Sequence, residues 1–328
     1  MKGIAAAVAG WGMAVPERRV TNDELSRRVD TSDAWIVERT GIRERRVAGE
    51  GETTASLAME AGAAAIKSAD LSPSDIGCCI VATCTPEQPM PPTSSFVQEG
   101  LGLRCGAFDI DAACSGFVYS LVVGSSLVAT TGAPVLVVGS ETLTRIMDPD
   151  DRSTCILFGD GAGAVVLVPS AERRLVAWDL GSDGSAASLL YVGAGGSRRP
   201  TTAATVAAGE HWVRMEGSEV FRRAVRAVVD SAVLTLAAAG VTADDIDLFV
   251  PHQANSRIID AATSRLGMPA ERAFVNIDRY GNTSAASIPI ALAEAADSGR
   301  LAPDDLVLLS GFGAGMSWAS AVLRWGRD

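Results

Sequence analysis

The chain has 328 residues, of which 48% are hydrophobic, 20% charged and only 5% aromatic. This composition excludes a disordered protein and provides enough apolar material for one large core or two fused smaller ones. The 39 acidic residues outnumber the 28 basic ones and give a formal net charge of −11, which excludes a general attraction for nucleic acid or anionic membranes.

The N-terminal segment and the cysteines both argue against export. Residues 4–15 are apolar but contain an internal Gly-Trp-Gly and no small-residue cleavage site, so we predict a first core strand rather than a signal peptide. The six cysteines have no paired C-x-x-C spacing, which disfavours a disulfide framework or a zinc site. We therefore expect reduced thiols, no metal and a cytoplasmic location.

Residues 112–140 carry no charge, which is long enough to suggest a transmembrane helix. Polar residues, a glycine and a proline interrupt this segment between positions 125 and 134. We interpret it as a buried helix, a turn and a buried strand over residues 134–139.

The remaining pattern is that of an α/β protein. Several short runs of Val, Ile and Leu lack strict alternation, which is typical of strands covered on both faces by helices. Residues 218–239 carry an apolar stripe at helical spacing, which predicts a helix there. Residues 288–296 predict another.

Three pairs of similar segments indicate an internal duplication. Residues 69–76 resemble residues 239–246 at an offset of 170, and both precede an apolar run. Residues 135–139 and 306–310 match at an offset of 171, and residues 108–111 and 275–278 at an offset of 167. We predict two similar α/β halves, residues 1–170 and 171–328, packed as one layered body with the chemistry at the seam between them.

Cys114 is the first candidate functional residue. It lies where a predicted strand gives way to small residues and then to a helical pattern, and a cysteine at a helix N-terminus is favoured as the thiolate, a nucleophile. A small buried hydrophobic residue is the competing interpretation, which we adopt for Cys78 and Cys79. Cys84, Cys105 and Cys155 have no setting comparable to that of Cys114.

His252 and Asn282 are the other candidates. His252 directly follows a predicted buried strand, where it could serve chemistry or merely satisfy backbone hydrogen bonds. Asn282 precedes the predicted helix over residues 288–296 and could be only a helix cap. The glycine-rich stretches 158–164 and 311–315 lack the Lys-Ser/Thr of a phosphate-binding loop, and we interpret their glycines as tight turns and close backbone approaches.

The chain closely resembles the β-ketoacyl-acyl-carrier-protein synthase III family of thiolase-fold condensing enzymes over essentially its whole length. The strings that carry the resemblance are Asp30-Thr-Ser-Asp-Ala-Trp-Ile-Val-Glu-Arg-Thr-Gly-Ile-Arg43, Ala112-Ala-Cys-Ser-Gly-Phe117, Phe158-Gly-Asp-Gly-Ala-Gly163, Pro251-His-Gln-Ala-Asn255 and Gly281-Asn-Thr-Ser-Ala-Ala-Ser287. The resemblance implies a thiolase-like αβαβα fold and a Cys-His-Asn triad, which maps onto Cys114, His252 and Asn282.

The resemblance also implies a decarboxylative Claisen condensation that starts fatty acid or polyketide chains. Cys114 would take an acyl group from acyl-CoA, with the backbone N–H groups of Cys114 and of the Gly313-Ala314 turn as the oxyanion hole. Malonyl on acyl carrier protein would then lose CO₂, and His252 and Asn282 would donate hydrogen bonds to the enolate oxygen. This chemistry requires no metal or redox cofactor, so we expect none. Acyl-CoA is a substrate rather than a cofactor.

Other family positions imply binding roles. Contacts with CoA map onto Thr31, Trp35, Arg39 and Arg152, with Asn255 as a pantetheine contact. A basic patch for the acidic carrier protein maps onto Arg222, Arg257 and Arg265, for which an ordinary solvated face is the competing interpretation.

The resemblance implies a homodimer in which Met90 of the neighbouring subunit limits the acyl pocket. Family members often carry Phe at this position, so a primer longer or more branched than acetyl is expected. Residues 193–209 differ from the family pattern and could shape the tunnel mouth. The particular primer, the carrier of the extender and the choice between fatty acid and polyketide synthesis stay open.

Three rival functions would use these residues differently. A thiolase-fold acyltransferase could move acyl groups from CoA without condensation, but it would not need both His252 and Asn282. A Cys-His hydrolase would need a base that activates water beside Cys114. An inactive subunit of a synthase complex would need no nucleophile at all.

Overall fold

The computed structural model describes residues 5–172 and 174–327. Its strands are β1 Ala5–Ala14, β2 Arg19–Thr21, β3 Glu44–Arg46, β4 Cys78–Ala82, β5 Gly106–Ile110, β6 Val135–Thr142, β7 Asp160–Ser170, β8 Leu175–Ser182, β9 Leu190–Val192, β10 Val213–Met215, β11 Leu248–Pro251, β12 Leu306–Gly313 and β13 Ser317–Arg324. Its α-helices are α1 Asn22–Leu25, α2 Asp33–Thr40, α3 Thr54–Ser68, α4 Thr93–Gly100, α5 Gly116–Thr131, α6 Arg152–Cys155, α7 Ala203–Ala207, α8 Gly217–Ala239, α9 Ser256–Arg265, α10 Ile277–Tyr280 and α11 Ser287–Asp297.

Two mixed sheets form the body of the molecule. The first has the strand order β1-β7-β6-β4-β5, and the second has the order β11-β12-β13-β8. In the first sheet β4 is parallel to β5 and β6, while β7 is antiparallel to β1 and β6. In the second sheet β11 is parallel to β12, and β13 is antiparallel to both of its neighbours. The order β11-β12-β13-β8 therefore repeats β4-β6-β7-β1, with the same directions.

Helices cover both faces of each sheet, which gives five layers. Helix α3 packs on β1, β6 and β7, and α8 packs on β8, β12 and β13. Helices α5 and α11 lie between the two sheets and contribute to the largest apolar cluster, which includes Phe117 and Ile288. This arrangement confirms the predicted α/β thiolase-like fold class.

The uncharged segment 112–140 folds as predicted, as a helix, a turn and a buried strand. Helix α5 ends at Thr131 and is capped by Gly132, which has a positive φ of 71°, and every residue of β6 is buried. Residues 113–131 are long and apolar enough to cross a membrane by composition alone, and 56% of that stretch is buried inside the protein. Their place between the sheets accounts for their hydrophobicity.

The sequence echoes correspond to repeated structure in two pairs and differ in the third. Helices α3 and α8 each lead into a single 3₁₀ turn, at 73–75 and 243–245, and then into β4 and β11. The pair 135–139 and 306–310 lies in β6 and β12. In contrast, residues 108–111 begin within the edge strand β5, whereas residues 275–278 run into α10 and leave only a bridge between Phe249 and Ala273.

Candidate active site

Cys114 lies in a tight turn between β5 and α5. The Asp111 Oδ1 atom accepts a hydrogen bond from the Ala113 backbone N–H at 3.1 Å, and Ala113 has a φ of 47°. A 3₁₀ turn over 113–115 follows, and α5 begins at Gly116. The turn places the sulfur at the N-terminal end of a 16-residue helix, as the sequence predicted, and buries the residue to 7% exposure.

The same turn occurs in the second half of the chain, around Asn282. The Asn282 Oδ1 atom accepts from the Ser284 backbone N–H at 2.8 Å, and Ser284 has a φ of 48°. A 3₁₀ turn over 284–286 follows and leads into α11. This turn packs against the turn of Cys114, and Ser284 lines the same cavity as Cys114. The two turns therefore meet at the seam between the sheets.

The local fold fixes the orientation of the Asn282 side chain. Its backbone N–H donates to the Leu157 carbonyl at 2.8 Å, and its own carbonyl accepts from the Gly159 N–H at 3.0 Å. Gly281 before it has a φ of 65°, which favours glycine. Because the Oδ1 atom already caps the Ser284 turn, the Nδ2 group is the part of the amide that can donate to a ligand.

His252 directly follows β11, as predicted, and is 3% exposed. Its backbone N–H donates to the Ser310 carbonyl of β12 at 2.8 Å, and its ring meets Phe312 edge-on at 5.5 Å between centroids. The Nδ1 atom lies 2.6 Å from Ser287 Oγ. The Nε2 atom is buried without a hydrogen-bond partner among the described residues. An unpartnered buried ring nitrogen is a group that a bound substrate can satisfy.

The end of β12 brings the second half of the chain against Cys114. A Cβ atom placed on Gly313 would lie 2.6 Å from the Cys114 backbone nitrogen, so only glycine allows this approach. Ala314 and Cys114 line the same cavity. The backbone groups expected to form the oxyanion hole are thus neighbours, and their assignment stays a prediction.

The ionisation of Cys114 differs from the sequence-based expectation. Burial raises the pKa of the Cys114 thiol to about 12, although it lies at a helix N-terminus. Burial also lowers the pKa of His252 to about 3. Burial therefore raises the thiol pKa, contrary to the lowered pKa predicted from the helix N-terminus, and it disfavours the charged form of both side chains.

A cavity of about 660 Å³ opens from the Cys114 sulfur. Its wall includes Ser284 but neither His252 nor Asn282. Its apolar side is lined by residues Leu143, Ile146, Met147, Phe158, Leu190 and Val213. This lining suits an acyl chain better than a polar group.

A second cavity of about 960 Å³ shares Ala187, Tyr191 and Val192 with the first. Gly193, Gly196, Arg198, Arg199 and Ala208, all within the unusual segment 193–209, line it. The segment therefore lies beside the cavity of Cys114, and its role in shaping the tunnel mouth stays a prediction.

A buried carboxylate near the cavity was missed by sequence reasoning. Glu141 at the end of β6 is fully buried and accepts hydrogen bonds from Thr85 Oγ1 at 2.5 Å and from the Cys84 thiol at 3.3 Å. Desolvation raises the pKa of Glu141. Cys84 lines the same cavity as Cys114, which corrects the view that its setting is ordinary. A charged residue directly after the apolar run of β6 was the available signal.

The residues expected to bind CoA form one cluster, with Trp35 at its centre. The guanidinium groups of Arg39 and Arg152 lie 4.7 and 5.0 Å from the Trp35 ring centroid. Arg152 also donates to the carbonyl of Asp30, next to Thr31, whose buried hydroxyl has no partner among the described residues. Asn255 Nδ2 donates to the Arg39 carbonyl at 3.0 Å, which ties the group to the N-terminus of α9. The cluster lines neither of the two cavities described above.

The basic residues expected to dock the carrier lie on α8 and α9. Arg222 pairs with Glu219 on its own helix. The Arg257 guanidinium lies 5.5 Å from the Phe221 ring centroid, beside Arg222. Within residues 5–172 and 174–327, neither Arg257 nor Arg265 forms an ion pair.

Met90 lies at an exposed loop between β4 and α4, with 83% of its surface accessible. It does not line the cavity of its own Cys114. Across the part of the chain that the structure describes, no group of three or more His, Cys, Asp or Glu residues is placed to hold a metal ion.

Solved structures place this architecture in a known class. The synthase III from Thermus thermophilus aligns with a TM-score of 0.91 and 45% identity, covering 98% of this chain and 100% of that one. The priming β-ketosynthase from the R1128 polyketide biosynthetic pathway aligns with a TM-score of 0.93 and 36% identity, covering 99% and 97%. The molecule is thus a condensing enzyme of the thiolase fold, an acyltransferase.

Sequence comparison narrows the class to one family. A family model described as 3-oxoacyl-[acyl-carrier-protein] synthase III matches residues 108–184, and its C-terminal counterpart matches residues 236–325. The β-ketoacyl-[acyl-carrier-protein] synthase III of Roseiflexus castenholzii is 54% identical over 98% of both chains. The chain belongs to the β-ketoacyl-acyl-carrier-protein synthase III family, as its motifs indicated.

Proposed function

We propose that the chain starts acyl chains by condensing an acyl-CoA primer with malonyl on acyl carrier protein, through an acyl group held on Cys114. The observation that carries this proposal is the contact between the turns of Cys114 and Asn282, which supplies a nucleophile and a donor at one seam. The unpartnered Nε2 atom of His252 supplies a second donor from the end of β11.

In the first half-reaction the Cys114 sulfur attacks the thioester carbonyl of acyl-CoA. The carbonyl oxygen becomes an oxyanion, which the backbone N–H groups of Cys114 and Ala314 would stabilise. The bond from carbon to the CoA sulfur then breaks, and the thiol proton of Cys114 leaves on CoA. An acyl-enzyme and free CoA result, with no net gain or loss of protons.

In the second half-reaction the malonyl thioester loses CO₂, and the electrons of the broken C–C bond form an enolate. His252 and Asn282 would donate hydrogen bonds to its oxygen. The enolate carbon attacks the acyl carbonyl on Cys114, and the sulfur leaves and recovers a proton. A removed oxyanion donor typically costs about 10² to 10³ in rate.

CoA would lie on the Trp35 cluster, with the ring stacking on the adenine and Arg39 and Arg152 near the phosphates. Thr31, with its unpartnered hydroxyl, would add a contact at this end, and Asn255 a contact to the pantetheine. The chemistry above needs no metal or redox cofactor.

The carrier protein would dock on α8 and α9. Arg257 and Arg265 are free of ion pairs among the described residues, whereas the charge of Arg222 is shared with Glu219. An acidic carrier would be attracted to this surface despite the net charge of −11.

The active form is proposed to be a cytoplasmic homodimer. β5 is an open edge of the first sheet, where Phe108 is 37% exposed, and unprotected edges usually find a partner. The exposed Met90 would then reach the acyl cavity of a second copy. Because Met is flexible, a primer larger than acetyl fits the proposal.

An acyltransferase that moves acyl groups without condensation is the alternative. It would use Cys114 and leave the donors Asn282 and His252 without a role. Only condensation uses both donors and the nucleophile.

The test follows a radiolabelled acyl-CoA onto the protein and then adds malonyl-carrier. We expect the label on Cys114 by peptide mass spectrometry, CO₂ release, and a labelled β-ketoacyl product. Cys114→Ala should block labelling and still release CO₂, whereas Cys105→Ala should behave as the unmodified protein.

Three outcomes would contradict the proposal. Label on another residue would remove Cys114 as the nucleophile. Transfer of label to the carrier without CO₂ release would support the acyltransferase, and release of free acid would indicate a hydrolase.

A further inference from the structure

We propose that Ser287 holds His252 as the neutral tautomer that carries its proton on Nε2. Ser287 is then a positioning residue, which makes His252 a ready hydrogen-bond donor toward the substrate. The proposal rests on the function proposed above.

The Ser287 hydroxyl is buried between His252 and Gln253. Ser287 is the first residue of α11 and is 2% exposed. Its Oγ atom lies 2.6 Å from His252 Nδ1 and accepts the backbone N–H of Gln253 at 3.3 Å. It forms no other hydrogen bond within residues 5–172 and 174–327.

Only one tautomer satisfies Nδ1, the Ser287 hydroxyl and the Gln253 N–H together. If the Ser287 hydroxyl donates to Nδ1, its oxygen is left to accept from Gln253, and the hydroxyl is fully used. If Nδ1–H donated to the oxygen instead, the Ser287 proton would have no acceptor in a buried place. Nε2 has no partner among the described residues in either tautomer, so the orphaned Ser287 hydroxyl proton is an additional cost of the second arrangement. The contacts therefore favour an unprotonated Nδ1 and a proton on Nε2.

The surrounding residues keep this assignment fixed. The Gln253 backbone N–H donates to the Ser287 hydroxyl oxygen, and the Gln253 side chain is held by further hydrogen bonds. Its Nε2 donates to the Pro251 and Phe274 carbonyls, and its Oε1 accepts from the Asn276 N–H. The Phe312 ring packs against the imidazole. Burial lowers the pKa of His252 to about 3, so the ring is neutral near pH 7 and carries a proton on only one of its two nitrogens.

The consequence is that both enolate donors are set in advance by neighbouring residues. The Ser284 N–H occupies Asn282 Oδ1 and leaves the Nδ2 group to donate. Ser287 occupies His252 Nδ1 and leaves Nε2–H to donate. A donor that needs no rearrangement lowers the barrier more than one that must be reoriented.

The tautomer can be measured directly, because the chain has only two histidines, His211 and His252. In ¹⁵N-labelled full-length protein, long-range ¹H–¹⁵N spectra distinguish a protonated ring nitrogen from an unprotonated one. His211→Asn assigns the remaining ring. We expect His252 to show an unprotonated Nδ1 and a protonated Nε2.

Ser287→Ala should convert this ring to a mixture of tautomers. We expect kcat for condensation and malonyl decarboxylation to fall about tenfold, the loss of one hydrogen bond. KM for the carrier and the acyl loading of Cys114 should not change. Ser287→Thr, which keeps the hydroxyl, should restore both the spectrum and kcat, and thermal melts would verify that both variants fold.

A protonated Nδ1 in the unmodified protein would overturn the assignment. So would an unchanged tautomer in Ser287→Ala, or unchanged decarboxylation in a variant whose tautomer has shifted. If the unmodified protein does not condense at all, the proposed function fails, and the spectra still decide the role of Ser287.

Discussion

The side-chain amide of Asn282 can form hydrogen bonds through both its oxygen and its nitrogen. Its oxygen caps the Ser284 turn, and its nitrogen is left for a ligand. The sequence allowed either a helix cap or a functional residue. The N-cap of α11 is Ala286, and the Asn282 oxygen instead closes the turn before the helix, without using the amide donor. These two contributions can therefore be separated by mutation.

Asn282→Asp should keep the cap and remove the donor. Asp111 builds the same turn in the first half of the chain with a carboxylate, so the variant should fold. Its melting temperature should fall by a few degrees, because position 282 is buried whereas Asp111 is exposed. We expect condensation to fall by about 10² to 10³, while acyl loading stays within about twofold, because a carboxylate repels an enolate. An equal loss in both half-reactions would indicate a structural defect instead.

The resting state of Cys114 gives a pH dependence. Because its pKa is raised from the ordinary thiol value to about 12, the thiolate fraction is small near neutral pH and rises with pH. Alkylation of Cys114 by iodoacetamide, followed by peptide mass spectrometry, should accelerate about tenfold per pH unit between pH 7 and 9. A rate that levels off near pH 7 would show a thiol with a lowered pKa.

At the level of secondary-structure elements, strands and helices were predictable and their mutual contacts were not. The apolar runs predicted β4, β6 and β11, and the stripe over 218–239 predicted α8, because periodicity reports burial directly. The partners Ser284, Ser287 and Glu141 were not found. Their roles depend on contacts between distant segments, which local pattern does not encode.

The end of β12 provides a test of such a contact. Gly313→Ala places a Cβ atom 2.6 Å from the backbone nitrogen of Cys114. Relieving this clash requires one of the two backbone segments to move. We expect acyl loading to fall at least tenfold, since a displacement of about 1 Å at a reacting group can cost 10²-fold.

Gly217→Ala is the matched control. The added Cβ would lie 3.6 Å from the terminal methyl of Met215, an ordinary contact. This variant should load acyl groups normally. Normal loading in Gly313→Ala as well would show that the approach of β12 to Cys114 is not needed.

At the scale of the whole molecule, the five layers place the proposed carrier surface and α3 on opposite faces. Helices α8 and α9 lie outside the second sheet, and α3 lies outside the first. A chain with a net charge of −11 can therefore still present a local basic surface on α8 and α9, on the face opposite α3.

Arg257→Glu should raise KM for malonyl-carrier about tenfold and spare loading from acyl-CoA. The effect should shrink at high salt, because exposed charges are screened. Lys67→Glu on α3 makes the same charge change on the opposite face and should leave KM unaltered. Equal effects of both variants would point to net charge rather than to a docking surface.

The paired turns at 111–114 and 282–285 have a consequence for how the chain is encoded. The first turn begins at Asp111, and Cys114 follows the residue with positive φ. The second turn begins at Asn282, and Ala285 stands at the position that corresponds to Cys114. Two identical turns meeting across a symmetric contact would present two thiols or two amides, and neither combination could both carry an acyl group and polarise a second thioester. Under the proposed function, the difference between the two turns within one polypeptide supplies each nucleophilic sulfur with its own polarising amide.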